Sequence, residues 1–304
     1  MSFAAGRLLD YLKTYALYPL PQHALTRLVY WLTRRESWWT PRAISAFARA
    51  FDVNMNDALE PDLASYRTFN AFFTRALKPE ARPVVSAASD IASPADGRIS
   101  AIGRVTDARL FQAKGRDYSL LALLGGDGAA TERLGDGGFA TLYLSPRDYH
   151  RLHMPLSGRL IRQSYVPGRL FSVGPPTVRT LPDLFTRNER VIAQFETDHG
   201  LMAMVLVGAM NVAAIETVWH GLVTPPPGKG ISHIDYRETA GSAGHVSARN
   251  AGSVTPVHLQ RGAEMGRFNM GSTVIVLLEN NALWRSDIQS GDAVRMGELL
   301  GQVR

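Results

Sequence analysis

Three short stretches carry residues whose types could do chemistry together. In SPADGRIS, Asp96 sits in an Asp-Gly turn ahead of strand-like residues. In YLSPRDYHRLHMP, His150 and His153 stand three apart beside a proline-bounded turn, bracketed by Arg147, Asp148 and Arg151. In FNMGSTVIVLL, Gly271-Ser272 leads directly into an apolar β-branched run. A glycine carbonyl is open to attack because no Cβ shields it, and glycine tolerates the twist that would bring the Ser272 hydroxyl onto it. A neutral serine needs a base, and the base needs an orienting acid. Asp96, His153 and Ser272 could fill those roles in an attack on the chain's own Gly271–Ser272 bond. Plainer alternatives stand beside each: a turn-capping aspartate, surface imidazoles and a strand-edge serine. A histidine pair at this spacing also suits a metal, but a third ligand would have to come from elsewhere, and none is expected.

The same residue types suggest a serine hydrolase, and the order Asp, His, Ser matches that of subtilisin. The surroundings do not match. A subtilisin-type serine opens a helix, whereas Val274–Leu278 is strand material, and no Gly-x-Ser-x-Gly elbow is present.

The elements that must position these groups fall into two textures. Residues 1–80 read as helical, with Leu8, Leu9, Leu12, Tyr15 and Ala16, then Leu25, Leu28, Val29 and Leu32, at helix spacing. Pro19 and Pro21 separate the first helix from the second, and Thr40-Pro41 opens a third with Thr40 as its cap. A short helix is expected over Phe69–Leu77, and PEARP (79–83) then acts as a boundary. From 81 to 304, β-type runs alternate with Gly/Pro/Asp turns: RISAIGRV, FATLYL, RLIRQSYV, RVIAQFET, MAMVLVG and STVIVLL. A weak Pro-x-x-Gly-base repeat (94–98, 155–159, 225–229) reads as turns feeding strands. SGDAVRMGELLGQV (290–303) reads as the edge of a small sandwich. The expected fold is α+β: an N-terminal helical layer on a mostly antiparallel β-sandwich or barrel-like core.

Composition narrows the setting. The 304 residues are 45% hydrophobic and 20% charged, a globular balance. Without cysteine there is no disulfide, thiolate metal site or thiol nucleophile. Residues 1–50 hold seven arginines and lysines against Asp10 and Glu36, a surplus of five within a net charge of +6, together with Trp31, Trp38, Trp39 and four tyrosines. Cations interleaved with Trp and Tyr suit a lipid headgroup layer. Nucleic acid is disfavoured, because these aromatics accompany Leu, Ile and Val at helical spacing rather than forming a stacking sheet. A layer packed only on the protein's own core is the alternative. No run of 18 apolar residues exists, so no transmembrane helix is expected. Asp10 and Lys13 fall where the apolar part of a signal peptide would be.

Taken together, the motifs are specific. ASYRTFNAFF (64–73), SPADGRIS (93–100), AKGRDYSLLALL (113–124), YLSPRDYHRLHMP, VPGRLFSV (166–173), LFTRNERV (184–191), IETVW (215–219) and EMGRFNMGSTV (264–274) occur in an order that resembles the bacterial phosphatidylserine decarboxylase family, almost end to end. Met270 stands where that family usually has Leu, a change of similar volume. The loop from about 230 to 256 looks longer than usual.

The resemblance implies a self-cleaving proenzyme in which Asp96, His153 and Ser272 form the processing triad. Cleavage between Gly271 and Ser272 would give a β chain, 1–271, and an α chain, 272–304, held without a peptide bond as a heterodimer or a multiple of it. Ser272 would become a pyruvoyl group, the covalent cofactor. That group would form a Schiff base with phosphatidylserine and act as electron sink during decarboxylation to phosphatidylethanolamine. His150 is the expected general acid and substrate contact. The N-terminal helices would hold the enzyme peripherally on the cytoplasmic face of the cell membrane. The other readings are a serine hydrolase and a non-catalytic lipid-surface module.

Overall fold

The computed structural model describes residues 8, 10–12, 14–15, 18–113, 115–210, 214–225, 230–237, 256–269, 271–279 and 282–304. Met270, Pro226–Lys229 of the third Pro-x-x-Gly repeat and most of the 230–256 loop lie outside them.

The core is one large open antiparallel sheet. Its order is Ser232–Asp235, Gly158–Val166, Arg190–Thr197, Gly200–Val207, Thr273–Leu278, Gly138–Tyr143, Gly97–Arg104 and Ala293–Val294. The Thr273–Leu278 strand lies in the middle. All six of its residues pair with Gly138–Tyr143 on one side and with Met202–Val207 on the other. All six are buried, as expected of a continuous apolar run flanked by strands on both sides. A four-stranded sheet (Gly221–Thr224, Ile215–Thr217, Glu264–Phe268, Arg151–His153), a three-stranded one (Asp90–Ala92, Leu299–Val303, Ala282–Trp284) and a two-stranded one (Arg109–Ala113, Arg116–Ser119) accompany it. None of these sheets closes, so the core is a set of packed open sheets and not a barrel. The first two Pro-x-x-Gly turns do feed strands, at Gly97 and Gly158.

The helical layer follows the sequence reading with two corrections. The third helix, Thr40–Ala50, includes Thr40 as its first residue; Trp39 is the N-cap and the Thr40 hydroxyl has no hydrogen-bond partner. The helix expected over Phe69–Leu77 covers only Phe69–Phe73, capped by the Thr68 hydroxyl on the Ala71 amide. It stops because the following chain is drawn into extended pairing: Leu77 bridges Ala58, and the Leu59 amide donates to the Ala76 carbonyl. The layer is joined to the β region by side chains. His23 Nε2 contacts the Gly168 carbonyl, the Leu170 amide donates to Gln22, and Arg34 pairs with Glu216.

Replacing Ile275, fully buried in the middle of the central strand, with Ala should destabilise the chain by about 2–5 kcal/mol. The shift in urea midpoint at unchanged slope measures it.

Candidate active site

Gly271-Ser272 lies where the chain leaves the four-stranded sheet through Glu264–Phe268 and enters the large sheet at Thr273. Ser272 is fully buried and its carbonyl accepts from the Leu144 amide at 2.9 Å. The register of the adjoining pair decides which histidine meets this junction. His153 stands opposite Glu264 and Arg151 opposite Arg267, while the Phe268 amide donates to the His150 carbonyl. His150 is therefore at the Gly271 end of the pair, and His153 is three residues, about 10 Å, further along at strand rise.

The side chains agree with the register. His150 Nδ1 lies 2.8 Å from the Asp148 carbonyl. A carbonyl only accepts, so Nδ1 carries the proton and Nε2 the lone pair. That Nε2 is buried with no hydrogen-bond partner, and a Cβ built on Gly271 would stand 3.7 Å from it and 3.3 Å from the Leu144 carbonyl. The Phe73 ring covers the imidazole, with centroids 4.1 Å apart. Burial pushes the His150 pKa down to about 3; the nearby Arg75 charge adds to this, and the Asp148 hydrogen bond opposes it.

His153 is set up similarly but aims elsewhere. Its Nδ1 donates to the Gly262 carbonyl at 2.8 Å, so its Nε2 accepts from the Tyr149 hydroxyl at 3.0 Å. Burial lowers its pKa, while the Gly262 bond and the charges of Glu264 and Asp96 hold it up. Asp96 does not hydrogen-bond to His153. Arg82 takes its carboxylate, with Nε at 2.8 and 3.1 Å and Nη2 at 2.5 Å, and the Met296 amide donates to Oδ1 at 2.9 Å. Arg82 also binds Asp57 at 2.9 Å.

A backbone carbonyl orients His153, and Asp96 acts on it through space. The structure brings His150, not His153, against Gly271.

Two participants escaped the sequence reading. Tyr149 stands four residues before His153 in the same motif, so its signal was present. Arg82 lay inside the stretch read as a boundary, fourteen residues from Asp96 with no periodicity linking them.

A buried neutral histidine gives a signed pH dependence. Below the ordinary imidazole value of 6.5 the unfolded chain binds a proton at residue 150 that the folded chain refuses until about pH 3. Stability therefore falls as pH drops through that window. His150→Gln should flatten part of the decline, measured as urea midpoints between pH 7.5 and pH 5.

The chain is similar to known proteins over most of its length. A family model described as phosphatidylserine decarboxylase matches residues 69–302, and a second, described only as PSD, matches residues 12–52. The chain is 54% identical over 270 residues to the phosphatidylserine decarboxylase proenzyme of Alkalilimnicola ehrlichii, covering 88% of each chain. It is 50% identical over 285 residues to that of Pseudomonas putida W619 (93% of this chain, 94% of the relative). It is also 50% identical over 289 residues to that of Methylococcus capsulatus (94% and 95%).

Proposed function

The chain belongs to the phosphatidylserine decarboxylase family, and from that premise we propose that it cuts itself between Gly271 and Ser272 and uses the new end to decarboxylate phosphatidylserine. It is an enzyme of phospholipid synthesis. The observation that carries the finer reading is the unpartnered lone pair of His150, sealed against Gly271.

Processing needs only this chain and water. Ser272 Oγ attacks the Gly271 carbonyl carbon, His153 takes the hydroxyl proton, and that proton passes to the residue 272 nitrogen as the amide bond breaks. The neutral histidine then removes the Cα proton of residue 272 as the ester C–O bond breaks. This frees residues 1–271 with a carboxylate at Gly271. The dehydroalanine left behind adds water and loses ammonia, giving a pyruvoyl end on residues 272–304. Asp96 supports the transient imidazolium of His153 through space. A specific observation favours a second reading, in which His150 takes the Ser272 proton because its basic nitrogen, not that of His153, faces the junction.

The buried, strand-anchored position of Ser272 and the orphaned His150 nitrogen fit such a group. When formed, it would give the site a keto carbonyl and adjoining amide able to hold the electron pair that carbon dioxide leaves behind. His150 does the proton work. As a neutral imidazole it takes a proton from the arriving substrate ammonium, holds it beside the substrate carboxylate, and returns it to the Cα that has lost carbon dioxide. A low pKa suits it to begin each cycle unprotonated.

Residues 1–80 serve as the membrane-facing layer, and 81–304 as the catalytic domain. No helix among the described residues is long and apolar enough to cross a membrane. The layer nevertheless exposes Leu8, Leu12, Tyr15, Leu28, Trp31 and Trp38, the last 79% accessible. Arg35 lies 3.9 Å over the Trp31 ring and Arg34 3.9 Å over Tyr30. Such a surface suits peripheral attachment at the cytoplasmic headgroup layer.

Ser272→Ala should run as one chain under denaturing conditions and release no carbon dioxide; two fragments from it would exclude Ser272. His150→Ala should split normally yet lose at least about a hundredfold in turnover, the scale of general acid–base catalysis. If instead His150→Ala stays whole and His153→Ala splits, the second reading replaces the first. Trp31→Ala/Trp38→Ala should still split but lose about tenfold in co-sedimentation with anionic vesicles, the scale of losing two interfacial anchors. Unchanged sedimentation would rule out this face.

A further inference from the structure

Two arginines are buried among the described residues, and they differ in one respect. Arg190, 2% exposed, is saturated: its guanidinium donates to the carbonyls of Leu123, Thr186, Asn188 and Ala122 at 2.5–2.9 Å. That is how this protein satisfies a structural cation. Arg75, 5% exposed, is not satisfied. Its Nε has no hydrogen-bond partner, and Nη2 makes a single long contact, 3.4 Å, to the Arg147 carbonyl. No carboxylate lies within 4.0 Å of it among the described residues, since Asp96, the nearby acid, is occupied by Arg82 and the Met296 amide. Burying a cation this poorly paired is unfavourable unless something completes its shell. Burial accordingly lowers the Arg75 pKa.

Its position ties Arg75 to His150. Arg75 follows the Phe69–Phe73 helix, whose Phe73 lies on the His150 ring. The Arg75 and His150 side chains bond to consecutive carbonyls of one turn, those of Arg147 and Asp148. Arg151 Nε pins the neighbouring Thr74 carbonyl at 2.9 Å, fixing where the guanidinium starts. A guanidinium whose Nε is unpaired, whose Nη2 makes one long contact and whose Cζ lies 5.7 Å from the Phe72 ring centroid is thus held near the imidazole that faces Gly271.

We propose that Arg75 is the positioning residue that holds the phosphodiester of the lipid headgroup while His150 works on its amino-acid end. The inference rests on the function proposed above. Phosphatidylserine offers two anions, and electrostatics chooses between them. Its carboxylate loses its charge as carbon dioxide leaves, so a strong cation there would stabilise the ground state more than the transition state and slow the reaction. The phosphodiester keeps its charge throughout. A planar fork on that group anchors substrate and transition state alike, and matches phosphate oxygens bidentately.

The test is a kinetic square: wild type and Arg75→Lys, each with phosphatidylserine and with its uncharged methyl phosphotriester, in mixed micelles. Wild type should lose about thirtyfold in kcat/KM on the triester, the scale of a charge-assisted hydrogen-bond pair. Arg75→Lys should lose a similar factor on the diester, mainly through KM, and little more on the triester. Independent, multiplying losses, or a wild type indifferent to the phosphate charge, overturn the proposal. Should Arg75→Lys fail to mature, a crystal structure of mature wild type with glycerophosphoethanolamine decides. Phosphate oxygens within about 3.2 Å of the Arg75 guanidinium are expected, and phosphate bound elsewhere refutes the assignment. A wild type that neither splits nor decarboxylates phosphatidylserine removes the functional reading itself, whereas a competent wild type with an indifferent Arg75 removes only this inference.

Discussion

The two-sided pairing of Thr273–Leu278 is the constraint on which the rest depends. A strand hydrogen-bonded along its whole length on both edges, with every side chain buried, is held independently of the peptide bond that precedes it. Further ties reinforce it. Leu299–Val303 pairs with Asp90–Ala92, Glu279 meets Arg133, and the Trp284 indole donates to the Gly103 carbonyl. A chain broken at 271/272 would therefore keep its shape. The break would fall at the crossing between two sheets, where a new end could form without removing a ladder hydrogen bond from the central strand.

The same crossing explains the local chemistry. Both histidines donate Nδ1 to backbone carbonyls, of Asp148 and Gly262, so both present a basic Nε2 and both are neutral through burial. Only register separates them: one is capped by the Tyr149 hydroxyl and the other aims at Gly271. Asp96 is engaged by a forked arginine and the Met296 amide, and so contributes a field to His153 and not a contact. Two chemically alike residues thus acquire different environments from a three-residue offset, one in a short strand and the other just before it.

Local pattern made much of this legible. The six quoted β runs all became strands, because short apolar runs bounded by Gly, Pro and Asp have little else to form. The α+β class and the family resemblance followed from the same residues. The failures were non-local. The Phe69–Phe73 helix was cut short by a bridge to Ala58. Thr40 is a good capping residue that lies one position too late. Which histidine meets Gly271 is a register fact, readable only once His153 is known to oppose Glu264. The Arg82–Asp96 pair and the unsatisfied Arg75 depend on burial and approach in three dimensions, and no spacing rule encodes them.

The Met296 amide on Asp96 has a consequence for the order of events during synthesis. The acid near the start of the β region is seated by a residue two hundred positions later, and the middle of the large sheet stays vacant until residues 273–278 arrive. A nascent polypeptide therefore cannot complete this arrangement while the ribosome is still adding the final segments. If the chain cuts itself as proposed, translation itself would time the reaction, and the bond would become vulnerable only after the piece to be retained has been made.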